Sequence, residues 1–224
     1  MNLPMPPAGL VLAAGAGRRW NEDAPAGAAS PKVLLREATG ASLLERAVRT
    51  LADGGCRPVV VVTGAWREEV EAEVDRLRRS TGLGEQLMEV YCRQWGQGMG
   101  SSLRTGLQSL ADGPWLAAVV TLADLTGQAS PVVCRLLESC PADATALARV
   151  THRGRPGHPV LLGREHWQAA CDVAHGDQGA RRLLRAAGAL EVECGDLVSG
   201  DDVDRRQDVA PPSPSRQDAG EVLP

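Results

Sequence analysis

The sequence predicts a three-layer α/β domain, with a mostly parallel sheet between two layers of helices. Three features carry that expectation: strand-like runs of unbroken Val, Leu and Ala, amphipathic helical segments between them, and glycine-rich turns at the junctions. A parallel strand is covered on both faces and needs no polar alternation. GLVLAAG (9–15), PVVVVTG (58–64) and LAAVVTLAD (116–124) show none.

The elements run in order along the chain. Residues 9–15 read as a buried strand, and the Gly/Ala/Pro-rich stretch 16–32 as a loop. SLLERAVRTLAD (42–53) has apolar residues at helical spacing and is stopped by Gly54-Gly55. After the strand at 58–64 comes a charged amphipathic helix over 66–79. A strand LMEVYC (87–92) then leads through a glycine loop into the helix SSLRTGLQSL (101–110). The strand 116–124 ends in Asp124, and Ser130-Pro131 opens a further helix. ATALARV (144–150) and HPVLLG (158–163) read as strands around a basic turn. Two short helices (165–174 and 179–187) and a strand LEVEC (190–194) complete the domain.

At 224 residues and 43% hydrophobic, the chain suffices for one packed domain and is too short for two. Residues 1–209 are expected to form it, and the polar, proline-rich 210–224 a disordered tail. A net charge of −4, with arginines dispersed among acids, argues against nucleic acid or a membrane surface as partner. No apolar run approaches the ~20 residues that span a bilayer, and MNLPMPPAG lacks the regions of a secretory signal, so the expected location is the cytoplasm. The six cysteines form no CxxC pair and read as reduced, partly buried thiols.

Lys32 is the only lysine among 24 basic residues. A lysine kept against such a bias offers a compact point charge for phosphate where arginine offers a planar fork. Its position after the Gly/Ala/Pro stretch places it on a mobile surface loop. Its replacement is therefore expected to change stability by less than about 0.5 kcal/mol.

Ligands of open α/β sheets bind beyond the carboxyl ends of the strands. The first strand runs into Ala13-Ala14-Gly15-Ala16-Gly17-Arg18, whose small residues let backbone N–H groups approach a phosphate that Arg18 would neutralise. An ordinary tight turn has the same composition. A dinucleotide site would need a third glycine where Trp20 stands and an acid after Val62-Thr63-Gly64, and no GxxxxGK[ST] occurs. Asp124 faces the crevice as a metal ligand or caps a turn. Asp201-Asp202-Val203-Asp204, with Asp208 beyond, is a solvated acidic loop or the rest of a metal site. Mg²⁺ takes one or two carboxylates plus substrate phosphates, which Asp124 with Asp202 or Asp204 would supply.

Taken together, LAAGAGRR, the PK downstream of it, GMGSSLRTGL, a strand ending in Asp, RGRPGHPVLL, GDQGARRLL and DVDRRQD resemble the MobA-like nucleotidyltransferases over about 9–209. Within these they are most similar to the molybdenum cofactor cytidylyltransferase group. The resemblance implies a Rossmann-like domain of the nucleotide-diphospho-sugar transferase type. It implies that the loop from Leu12 through Ala13, Ala14, Gly15 and Gly17 to Arg18 holds the triphosphate and base, with Lys32 on phosphate oxygens. Gly98 and Ser102 match a second nucleotide loop, and Asp124 the metal-binding aspartate, completed by Asp202 or Asp204. Gly157-His158-Pro159 and Gly176-Asp177 to Arg181 match segments facing the second substrate. LAAG is typical of CTP users and LAGG of guanylyltransferases, so Ala14 favours CTP. The chain departs from the family in Trp20, in the longer spacer 21–30, in Leu125-Thr126 after the aspartate, and in Arg205-Arg206.

The expected activity is therefore Mg²⁺-dependent transfer of a nucleoside monophosphate to a phosphorylated small molecule, probed first with CTP and molybdopterin, with pyrophosphate released. Arg18, Lys32 and Asp124 are the catalytic candidates, and a molybdoenzyme or its chaperone is an expected partner. A sister transferase acting on a sugar phosphate is the nearest alternative. A non-catalytic binding protein of the same fold would be marked by loss of Lys32 or Asp124, and both are present.

Overall fold

The computed structural model describes residues 5–198, positions 23 and 26 excepted. Seven strands form one sheet: β1 (Ala8–Leu12), β2 (Val59–Thr63), β3 (Leu87–Tyr91), β4 (Ala117–Leu122), β5 (Leu147–His152), β6 (Arg155–Gly163) and β7 (Leu190–Glu193). Their order is β3-β2-β1-β4-β6-β5-β7. Only β6 runs antiparallel to its neighbours, β4 and β5, and every other pairing is parallel.

The helices are α1 (Arg18–Glu22), α2 (Leu43–Asp53), α3 (Arg67–Ser80), α4 (Met99–Leu110), α5 (Ser130–Ser139), α6 (Trp167–Val173) and α7 (Arg181–Ala186). Alternation along the strands separates two cores. Val11, Val59, Val61 and Val119 face α2, α3 and α5 through Leu44, Leu51, Val74, Leu77 and Leu136. Leu10, Val60, Val62 and Val120 face α4, α6 and α7 through Leu103, Leu107, Ala170 and Leu184. Each such Val or Leu side chain contributes about 1.5–3 kcal/mol when withdrawn from water, so the sheet is a rigid platform for the loops at its edge.

Local chemistry sets the ends of the elements. Ser42 Oγ accepts the Glu45 N–H at 3.0 Å and so caps α2, while donating to Glu73 Oε1 on α3 at 2.7 Å. Pro131 lies in the first turn of α5, where a missing N–H costs nothing. Two of the boundaries that differ from expectation bear on the site. β1 stops at Leu12: Ala13 and Ala14 are buried at the end of β2, where Ala65 N–H donates to Ala14 O at 3.1 Å, and not along a strand. β4 stops at Leu122, so Asp124 sits in the turn beyond it. The stretch expected to be loop throughout also holds α1 and a 3₁₀ turn at Lys32–Leu34. The acidic run with Asp202 and Asp204, and the tail 210–224, lie outside the described residues. Among the described residues no helix is long and apolar enough to cross a membrane.

A carboxylate clasps the β5–β6 turn. Glu193 accepts the N–H groups of Arg153 (2.8 Å), Gly154 (2.9 Å) and Gly195 (2.7 Å) and the Thr151 hydroxyl (3.0 Å). The backbone donors, Gly154 first, hold its carboxyl down at about 2 against an ordinary 4.5. A depressed acid contributes stability above its unfolded pKa and loses it as pH falls toward the folded one. Glu193→Gln should therefore lower Tm at pH 7 and flatten the loss of stability between about pH 4.5 and about 2. An acid profile parallel to that of the wild type would remove Glu193 as a source of the clasp's stability.

Candidate active site

The strand order reverses at β1, whose neighbours are β2 on one side and β4 on the other. In a doubly wound sheet the loops diverge at such a point and leave a crevice. A cleft of about 430 Å³ opens there. It is lined by the segment after β1 from Leu12 through Ala13, Ala14, Gly15 and Gly17 to Arg18, and by Lys32, Gly98, Ser102, Asp124 and Asp177. Every residue proposed for nucleotide contact thus borders one cavity.

Lys32 and Asp124 meet at its floor. Lys32 Nζ donates to Asp124 Oδ2 at 2.9 Å, across 92 positions of sequence. The lysine is 7% exposed and the aspartate 35%. The expectation of a mobile surface loop is therefore wrong for Lys32. Pro31 and the 3₁₀ turn hold it inside, because its ammonium has a carboxylate to meet there.

The loop after β1 is fastened from three sides. Asn21 Nδ2 donates to the carbonyls of Ala16 (3.3 Å) and Ser30 (3.1 Å), and Ser30 N–H returns to Asn21 Oδ1 at 2.9 Å. These bonds close the lengthened spacer at its two ends. Trp20 is buried with its indole N–H on Ser30 Oγ (3.4 Å), and Trp66 donates to Ala16 O at 3.1 Å. Gly64 lets β2 end against this loop, since a Cβ there would fall 2.4 Å from Ala14 O. Sequence reasoning used Gly64 only as a missing acid. The signal was a glycine directly after a run of β-branched residues.

The far wall is the turn Trp95–Gln97 followed by Gly98 and α4. Gly98 has φ +99°, and a Cβ on it would lie 2.6 Å from the Gly176 carbonyl carbon and 2.9 Å from Asp177 Oδ1. The two glycine loops therefore touch, and Asp177 is brought into the main cleft. The N-terminal end of α4, with its positive dipole, opens on the same space through Met99 and Ser102. Ser101 Oγ, bonded to the carbonyls of Gln94 and Gly98 at 2.8 Å, fixes that end.

His158 and Arg181 lie elsewhere, in a second cavity of about 90 Å³ between β6, α4 and α7. Leu12 and Met99 border both spaces. Burial pushes the His158 imidazole pKa down, against the opposing influence of the Val120 backbone and Asp124, so the ring is neutral near pH 7.

The family model for the MobA-like NTP transferase domain matches residues 9–192. The chain belongs to that family. Nicotine blue oxidoreductase of Paenarthrobacter nicotinovorans is 32% identical over 203 residues, 88% of this chain and 91% of that one. A nucleotidyl transferase from Methanothermobacter thermautotroptrophicus superposes with a TM-score of 0.70 at 19% identity, covering 90% of this chain and 93% of that one. The manganese complex of Rv0371C from Mycobacterium tuberculosis H37Rv gives 0.63 at 20% identity, covering 85% and 89%. These likenesses confirm the mostly parallel α/β sheet, and the family carries nucleotidyltransferase as the class of activity.

A pair this far from the surface on one side and half open on the other should couple by roughly 1–3 kcal/mol, between exposed and buried ion pairs. A double-mutant cycle with Lys32→Ala and Asp124→Ala in urea unfolding should return a coupling of that size. A value below about 0.3 kcal/mol would reduce the pair to a resting contact.

Proposed function

We propose that the protein transfers CMP from CTP to a phosphorylated acceptor, molybdopterin, with release of pyrophosphate. The observation that carries this reading is the Lys32–Asp124 pair at the floor of a cleft walled by two glycine loops. Glycine loops and a helix N-terminus suit a triphosphate, and the pair supplies a cation and an anion at one point.

The donor set fits Mg²⁺. Asp124 presents a partly exposed carboxylate to the cleft, and Asp177 lines the same space. Mg²⁺ accepts such a sparse set because phosphate oxygens and water complete its octahedron. Asp124 would hold it, with Asp202 or Asp204 as the second ligand. When bound, the ion neutralises charge developing on the phosphates.

The remaining work belongs to the chain. N–H groups of the loop from Ala14 to Gly17 orient the triphosphate, while Ala13 N–H stays on Val62 O, and Arg18 screens its charge. Lys32 exchanges Asp124 for a phosphate oxygen once nucleotide and metal arrive. An acceptor phosphate oxygen then bonds to the α-phosphorus as the bond to the bridging α–β oxygen breaks, and the electron pair leaves with pyrophosphate. The resemblance of the LAAG segment, with Ala14, to that of CTP users supports CTP as the donor.

A second reading draws on the relative at 32% identity, whose name denotes an oxidoreductase. Against it, Trp20 occupies the third glycine position of a dinucleotide loop, and β2 ends in Thr63-Gly64 without an acid for a ribose. A sugar phosphate in place of molybdopterin leaves the same cleft chemistry intact.

Pyrophosphate release should be fastest with CTP and molybdopterin among CTP, GTP, ATP and UTP. Asp124→Asn should lower it by ~10²-fold or more. Lys32→Arg should lower kcat despite conserving charge, because the planar fork does not fit a site shaped for an ammonium. Faster release with GTP would overturn the CTP assignment. Oxidation of reduced nicotinamide without any pyrophosphate release would favour the second reading.

A further inference from the structure

Three buried side-chain nitrogens lack a hydrogen-bond partner among the described residues: Arg149 Nε, His152 Nδ1 and His158 Nδ1. All three belong to the β5–β6 hairpin. A buried polar atom without a partner costs about 1–3 kcal/mol. His152 lines a different cavity, which leaves Arg149 and His158 to share one.

Arg149 and His158 share a wall. Arg149 lies directly opposite Val160 on the neighbouring strand, and His158 stands two residues before Val160. The register shifts between Arg149 and Thr151, so it is a shared cavity and not strand alternation that brings Arg149 and His158 together. Both line the second cavity, whose other walls include Leu12, Leu103, Val120 and Leu184. The rest of the Arg149 guanidinium is engaged with Glu191 on β7, so its charge is already answered. Its free Nε–H asks only for an acceptor. The His158 ring is neutral, and with its other nitrogen turned to the Val120 backbone, Nδ1 is a bare acceptor that asks for a donor.

We propose that Arg149 and His158 together read a neutral donor–acceptor pair, an N–H or O–H beside a carbonyl-type oxygen, carried on an apolar body by the non-reacting part of the acceptor. The inference rests on the proposed transferase reading and on the resemblance that sets His158 and Arg181, both in the second cavity, beside the second substrate. It names Arg149, a residue that no motif pointed to, as a determinant of acceptor choice. Leu12 and Met99, shared with the main cleft, bring that body within one molecule's length of the reacting phosphate. Arg181, exposed at the rim, is left for the anionic part.

The test uses the full chain and three probes of similar size: 2-pyridone, which presents N–H beside C=O, benzoate, and toluene. Titrations are followed at the His158 ring by NMR. 2-Pyridone should shift the ring saturably and bind at least about fivefold more tightly than either other probe. Arg149→Lys, which keeps a cation for Glu191 but loses the Nε–H, and His158→Phe should each weaken it by a similar factor at unchanged Tm; in the phenylalanine variant binding is read from the 2-pyridone resonances. Tighter binding of benzoate would make the cavity an anion site, and tighter binding of toluene a purely apolar one. Absence of saturable binding would assign the nitrogens of Arg149 and His158 to water. Each of these overturns the proposal. None of the probes requires turnover, so 2-pyridone binding in a protein inactive toward molybdopterin would redirect the acceptor's identity and leave the recognition rule standing.

Discussion

One ion pair organises the molecule's chemistry. Lys32 Nζ and Asp124 Oδ2, 2.9 Å apart, join the first loop of the chain to the turn after the central strand, and they meet where the strand order reverses. The sheet makes the meeting possible: β1 and β4 are direct parallel neighbours, so the loops at their carboxyl ends open into the same crevice. The pair holds a carboxylate ready in a place that would otherwise repel phosphate. In the proposed reaction it is also a competitor, since a metal ion and an ammonium want the same oxygen.

Around that pair the cleft is shaped more by missing atoms than by added ones. Gly64 admits Ala14, and Gly98 admits Gly176 and Asp177, each at distances no Cβ would tolerate. The result is a wall of backbone N–H and carbonyl groups on rigid supports, with Trp20, Asn21 and Trp66 fastening the loop from behind. Backbone donors held this way are already aimed, which is where electrostatic catalysis draws its strength.

Much of this was legible in the sequence because local rules decide it. Unbroken Val runs gave the parallel strands, apolar spacing and Gly54-Gly55 the helix at 42–53, Ser130-Pro131 a helix start, and the residues after the strand ends border one cleft. What escaped was what depends on distant partners. Composition made 16–32 a loop, and the carboxylate of Asp124, far along the chain, helps draw Lys32 into the interior. The clasp of Glu193 on the β5–β6 turn needs a strand added 40 residues later. Arg149 looked like one arginine among many, and its place in the second cavity comes from the pairing of β5 with β6, which no single segment encodes.

The central claim is that Lys32 and a divalent ion share Asp124 and that nucleotide phosphate resolves the contest. Binding of Mn²⁺ to the protein, followed by electron paramagnetic resonance, tests it without turnover. Wild-type protein should bind Mn²⁺ weakly alone and at least about tenfold more tightly with a non-hydrolysable α,β-methylene analogue of CTP, while Lys32→Ala should bind the ion more tightly in the absence of nucleotide. An Mn²⁺ affinity indifferent both to the analogue and to the loss of Lys32 would contradict the account.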